Sequence, residues 1–236
     1  MIAKDGLALV IGSLVIFLIF LIIRLYVQQP VLTVITVLLG VFSVFNLYFF
    51  RDPHREPPQN PNAILSPADG KIIKITEVYE PRFFDEKVRM VSIFLSVFDV
   101  HVNRVPISGK VRYFHYQPGK FLAAFKDKAS EENEHTAIGI VDPRGRRVLF
   151  KQIAGIVARR IVCNLREGHT VQAGDRMGMI RYGSRVDIFF DLNARVMVSP
   201  GQRVRAGETV IAQFTDEGDQ EKVEANVVDT PVEEVY

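Results

Sequence analysis

The sequence has almost no cysteine, and that scarcity excludes whole classes of protein. A single thiol, Cys163, cannot close an internal disulfide, so no disulfide scaffold is available and a reducing compartment suits the chain. The five histidines, His54, His101, His115, His135 and His169, are scattered, and no Cys/His cluster has zinc spacing. A strong net charge is also lacking. The formal total is only +2, but from residue 216 onward eight acidic residues face one lysine, leaving −7 on the tail and +9 on the rest. A basic body suits an anionic surface, either lipid headgroup or nucleic acid. The acidic tail has little to bury and is expected to be mobile.

Long apolar runs, by contrast, are present. Residues 6–23 form an unbroken apolar or small run, and 31–50 form a second, interrupted only by Thr33, Thr36, Ser43 and Asn46. Each is near the roughly 20 residues a membrane-spanning helix needs. The connection 24–30 is too short for a domain, so the two runs predict a tight helical hairpin. A cleaved signal peptide fits less well: the apolar core is too long, no small-residue cleavage site follows, and a second run comes at once. Lys4 before the hairpin and Arg51 and Arg55 after it, against Arg24 alone in the loop, place both ends on the cytoplasmic side of the cell membrane.

Residues 51–62, RDPHREPPQNPN, hold four prolines and read as a linker. The remaining 63–215 has the texture of a mainly β domain. Short strands are expected at 72–78, 88–97, 110–116, 136–141, 148–153, 156–164, 176–182, 185–191, 194–198 and 210–214, punctuated by Gly-containing turns. Residues 120–133 read as a short helix or a loop. Two segments rhyme, VQAGDRMGMI at 171–180 and VRAGETVIAQF at 204–214. That is the hairpin pattern of barrel-sandwich, lipoyl-like domains, and it fixes quasi-repeated strands but no function.

One stretch is out of keeping with a plain strand. In MGMIRYGSRVDIFFD, residues 177–191, a two-residue period puts Ile180, Tyr182, Val186, Ile188 and Phe190 on one face. Ser184 falls on that same face, while Arg181, Arg185, Asp187 and Asp191 take the other. A hydroxyl facing a core costs about 1–3 kcal/mol unless it finds a partner, so Ser184 needs a reason to be there. Gly183, with no Cβ, leaves its carbonyl open to attack. The residues alone fit either a Gly–Ser bulge at a barrel corner or a bond that Ser184 breaks itself. Self-cleavage needs a base, and His101 in FDVHVNRVP is the best placed, with Asp99 and Asn103 on the same face of an extended chain. Its plain alternative is a polar strand end at the surface. Asp69 in SPADGKI could orient such a base, or simply make an Asp-Gly turn.

Taken together, FFRDPHREPP, SPADGKI, SVFDVHVNRVP, ENEHTAI and YGSRVDIFF, in that order behind an apolar N-terminus, closely resemble the short form of the phosphatidylserine decarboxylase family. The resemblance implies cleavage between Gly183 and Ser184. It gives a β subunit, 1–183, and an α subunit, 184–236, headed by a pyruvoyl group made from Ser184. That group is the implied cofactor, with no metal. Its ketone would form a Schiff base with the amine of phosphatidylserine, and loss of carbon dioxide would give phosphatidylethanolamine. The implied partners are the lipid substrate, membrane lipid and the two subunits of one proenzyme, with a homo-oligomer left open and no nucleic acid. Longer family members carry a second histidine where this chain has Arg104. His101 is therefore open to a part in cleavage, in decarboxylation or in both, with Asp69 matching an upstream relay acid. Arg144, Arg146, Arg147, Arg159 and Arg160 read as ordinary exposed charges, contact with anionic headgroups being the alternative. Three other readings stand beside the main one: a membrane-anchored lipoyl-like carrier using Lys128, a structural adaptor, and an archaetidylserine decarboxylase, whose substrate offers the same amine and carboxylate.

Overall fold

A computed structural model describes residues 1–119, 133–155, 161–181 and 184–215. Lys128, Arg159, Arg160, Gly183, the acidic tail and all of the 120–133 segment except Asn133 lie outside the described residues.

Two helices open the chain, α1 (Leu7–Tyr26) and α2 (Pro30–Phe49). Both are long and apolar enough to cross a membrane. Pro30 starts α2 where a missing N–H costs nothing. The helices pack closely: Ser43 Oγ donates to the Ser13 carbonyl at 3.0 Å, and Gly40 leaves room for the Phe17 ring. The rest of their apolar surface is largely exposed. The base of the hairpin is tied shut, because Ala3 N–H donates to Phe50 O and Asp52 N–H to Met1 O, both at 2.7 Å.

Fourteen strands follow among the described residues. They are β1 (Ala63–Leu65), β2 (Gly70–Glu80), β3 (Glu86–Leu95), β4 (Val102–Arg104), β5 (Gly109–Gln117), β6 (His135–Val141) and β7 (Arg147–Ala154), then β8 (Ile161–Cys163), β9 (Thr170–Val171), β10 (Arg176–Ile180), β11 (Ser184–Phe190), β12 (Arg195–Val196), β13 (Arg203–Val204) and β14 (Val210–Gln213). An eight-stranded sheet runs β13-β2-β3-β11-β7-β6-β5-β9, and two three-stranded sheets run β4-β10-β8 and β1-β14-β12. The expected mainly β architecture behind a helical hairpin is what forms.

The rhyming segments meet in space. Gly174 and Gly207 both adopt the left-handed conformation, at φ 87° and 74°, where a side chain is strained. A Cβ on Gly207 would lie 3.4 Å from the Gly174 Cα, so the two turns pack against each other.

Two expectations for 176–191 need correction. The expected strands 176–182 and 185–191 form as β10 and β11, but in different sheets, so they are not one strand turning a corner. β11 is central, between β3 and β7, and is also buried on both faces. Its inner face carries Ser184, Val186, Ile188 and Phe190 into the main core, and Phe189 joins a second cluster with Phe84, Met90 and Leu149. Arg185 and Asp187 are therefore not on a solvated face. They form a bidentate ion pair inside the protein, with Nε to Oδ1 at 2.6 Å and Nη2 to Oδ2 at 2.9 Å.

Candidate active site

Ser184 opens β11 between Leu95 on β3 and Ala154 on β7. It is fully buried, and its Oγ has no hydrogen-bond partner among the described residues. The penalty anticipated from its position on the core face is thus actually incurred, which marks the hydroxyl as kept for something other than packing.

His101 reaches this place through a short loop. The chain leaves β3 at Leu95, beside Ser184, and returns at His101, whose carbonyl accepts the Ile180 N–H at 3.3 Å. One end of the loop therefore lies beside Ser184 and the other beside Ile180. The turn is pinned by Asp99, whose Oδ2 accepts the Ser96 N–H at 2.8 Å while Oδ1 pairs with Arg203. His101 is not at the surface, as its plain alternative held, but fully buried. Its Nδ1 lies 3.0 Å from the Asp99 carbonyl oxygen, which can only accept, so Nδ1 carries the proton and Nε2 the basic lone pair. The ring packs 4.3 Å from the Phe49 ring at the end of α2.

Burial pushes the His101 pKa from its ordinary 6.5 down to about 4, Arg51 adding to the effect and Asp99 opposing it. The imidazole is neutral and ready as a base well below pH 7. Because the folded chain binds this proton less readily than the unfolded one, the contribution is complete above pH 6.5 and lost as pH falls toward 4. Its size is about 3 kcal/mol. In urea titrations of an uncleavable chain, the midpoint should fall over this range, and a His101→Gln change should flatten that part of the fall.

A buried polar chain lies alongside on the same inner face. Thr136 Oγ1 donates to Gln152 Oε1 at 2.7 Å, Gln152 Nε2 to Asn103 Oδ1 at 2.8 Å, and Asn103 Nδ2 to Pro67 O at 3.3 Å. Asn133 Nδ2 donates to the carbonyl of Ala154, the strand neighbour of Ser184, at 2.7 Å. Asn133 and Asn103 are thus both tied to β7, the strand beside Ser184.

Asp69 stands apart from His101. Its Oδ2 accepts from Arg55 at 2.7 Å and its Oδ1 from the Ala206 N–H at 2.8 Å, and burial raises its pKa against those two partners. It fixes the turn that presents Pro67 O to Asn103 and to the Arg104 N–H, the latter at 2.9 Å. The side chain of Arg104, the residue after Asn103, takes no part in the buried polar chain. It ties the linker to the barrel turns, donating to Asp52 Oδ1 at 2.8 Å and to Gly174 O at 3.0 Å. Arg144, Arg146 and Arg147 are engaged by Asn62, Asp142 and Glu86. A cleft of about 710 Å³ lies under the proline-rich linker, lined by Arg55, Arg104 and Arg176 among others, and Ser184 is not in its wall.

The sequence profile of the phosphatidylserine decarboxylase family matches residues 42–212. The chain belongs to the phosphatidylserine decarboxylase family. A phosphatidylserine decarboxylase proenzyme of Wolbachia sp. subsp. Brugia malayi is 50% identical over 185 residues, covering 77% of this chain and 80% of that protein. The proenzyme of Desulfotalea psychrophila is 46% identical over 181 residues, covering 77% of this chain and 85% of its own length. Membership of this decarboxylase family sets aside the carrier and adaptor readings.

Sequence reasoning missed three parts of the site. Phe49 lies in the FFRDPHREPP motif, but its contact with His101 is long-range. Gln152 had a signal, being the polar member of the otherwise apolar series Val148, Phe150, Ala154 on one strand face. Arg185 and Asp187 were read as solvated.

Proposed function

We propose that the chain is a self-processing phosphatidylserine decarboxylase whose own Ser184 furnishes the reactive carbonyl. The observation that carries this is the buried Ser184 hydroxyl, without a hydrogen-bond partner among the described residues, at the start of a central strand in a chain whose relatives are proenzymes. In processing, Ser184 Oγ attacks the Gly183 carbonyl carbon and the acyl group moves from nitrogen to oxygen, giving an ester. Loss of the Ser184 Cα proton expels the Gly183 carboxylate. The resulting enamine takes up water and releases ammonia, so the β subunit ends at 183 and the α subunit begins with a pyruvoyl group.

That ketone supplies an electrophile for the substrate's primary amine and a sink for the electrons left when carbon dioxide departs. His101 is the proton carrier: its Nε2 takes a proton in processing and returns one to carbon in turnover. Phe49 and the Asp99 carbonyl hold the ring. Asp69 acts as a positioning residue, through the turn that seats Asn103 and Arg104. The buried surroundings of Ser184 exclude water from competing reactions. In this reading 1–50 is a membrane hairpin, 51–62 a linker, 63–215 the catalytic domain on the cytoplasmic side and 216–236 a tail. Anchoring raises the effective concentration of a lipid headgroup at the site.

Borohydride tests the reading. It reduces a ketone, so the purified protein should stop converting phosphatidylserine vesicles to phosphatidylethanolamine after treatment, while the 184–236 chain gains two hydrogens. Full activity after complete reduction would contradict the assignment.

A further inference from the structure

The membrane hairpin and the loop carrying His101 are fastened at one point. α2 has 20 residues, which at about 1.5 Å each span roughly 30 Å, the hydrocarbon thickness of a bilayer. Where α2 crosses the bilayer, as the proposal above holds, its last turn lies at the lipid–water boundary. Two side chains at that end grip the same atom: Tyr48 Oη donates to Phe98 O at 3.1 Å and Arg51 Nη2 to Phe98 O at 2.7 Å. The Arg51 guanidinium also lies 3.8 Å from the centre of the Tyr48 ring.

Phe98 itself is 66% exposed. A phenylalanine left in water forgoes the gain that burial would return. Its surroundings are cationic. Arg203 pairs with the neighbouring Asp99 and lies beside Lys71, and Lys71 in turn pairs with Phe94 near the end of β3. An aromatic ring with a helix-end tyrosine and a fringe of Arg and Lys is the chemistry of an interface with anionic lipid.

We propose that Phe98 inserts into the interfacial layer of the bilayer that holds the hairpin. The loop 96–99 becomes a second membrane contact and sets His101 at the depth of the substrate headgroup. The occupant is lipid, because Tyr48 and Arg51 hold the Phe98 backbone at the end of α2, where Leu47 and Tyr48 are themselves exposed.

The chain has no tryptophan, so one can be introduced as a sole reporter. Full-length protein carrying Phe98→Trp, Leu18→Trp (mid α1) or Tyr79→Trp would be reconstituted in phosphatidylcholine/phosphatidylglycerol vesicles with brominated acyl chains. Tyr79 is 59% exposed, near the far end of β2. The Phe98→Trp emission should shift to the blue and be quenched by chains brominated near the headgroup, with Tyr79→Trp unaffected. Quenching at Leu18→Trp but not at Phe98→Trp overturns this inference alone. Quenching at neither site overturns the membrane reading beneath it. Equal quenching at Tyr79→Trp also overturns the inference, since lipid would then cover the whole domain.

Discussion

A Ser184→Ala chain should stay in one piece and make no phosphatidylethanolamine, however long it is incubated. Two independent losses combine. No hydroxyl remains to attack the Gly183 carbonyl, and no precursor remains for the ketone that accepts the substrate amine. The fold should survive, because the lost oxygen has no hydrogen-bond partner among the described residues. Removing an unpaired buried polar atom is neutral or stabilising. The urea midpoint of Ser184→Ala should therefore match or exceed that of uncleaved wild-type chain. Activity should fall to background, a loss larger than the 10²–10⁴-fold (roughly) expected from removing a single acid or base. A Ser184→Ala protein that still yields two fragments would place the cleaved bond elsewhere.

The second large effect belongs to stability. Asp187→Ala leaves the Arg185 guanidinium buried without its bidentate partner; the two side chains are 0% and 3% exposed. Breaking such a pair from one side costs about 3–5 kcal/mol, against total stabilities of about 5–15 kcal/mol. The uncleaved chain should lose roughly a fifth or more of its urea resistance on those figures, and processing should slow because β11 carries Ser184. A double change to leucine at Arg185 and Asp187 should be milder than Asp187→Ala, since no lone charge stays inside. Measured in the Ser184→Ala background, unfolding concerns one intact chain. A loss below about 1 kcal/mol would show that the pair behaves as a surface bridge does.

Much of this architecture could be read in advance, for identifiable reasons. The hairpin follows from run length alone. The longer strands follow from alternation between Gly turns, and Ser184 does lie on the apolar face that a two-residue period gives it. What escaped has a common cause. Strands β1, β4, β9 and β13 are two or three residues long, too short for any period to register. Periodicity along one chain cannot see a change of sheet, so it separates 176–182 from 185–191 without showing that β10 and β11 lie in different sheets. Nor can it see that the outer face of β11 is covered, which turns Arg185 and Asp187 from solvated charges into a buried pair. The packing of Phe49 on His101 joins residues far apart in sequence, and Asp69 was in the right neighbourhood but bonded to Arg55 and Ala206 instead of the histidine.

The most direct measurement is the intact mass of the purified protein. It should resolve two chains, one ending at Gly183 and one comprising 184–236 that is lighter by one ammonia than a serine-initiated chain and closed to Edman degradation. A single full-length mass from protein that decarboxylates phosphatidylserine at full rate would contradict the account.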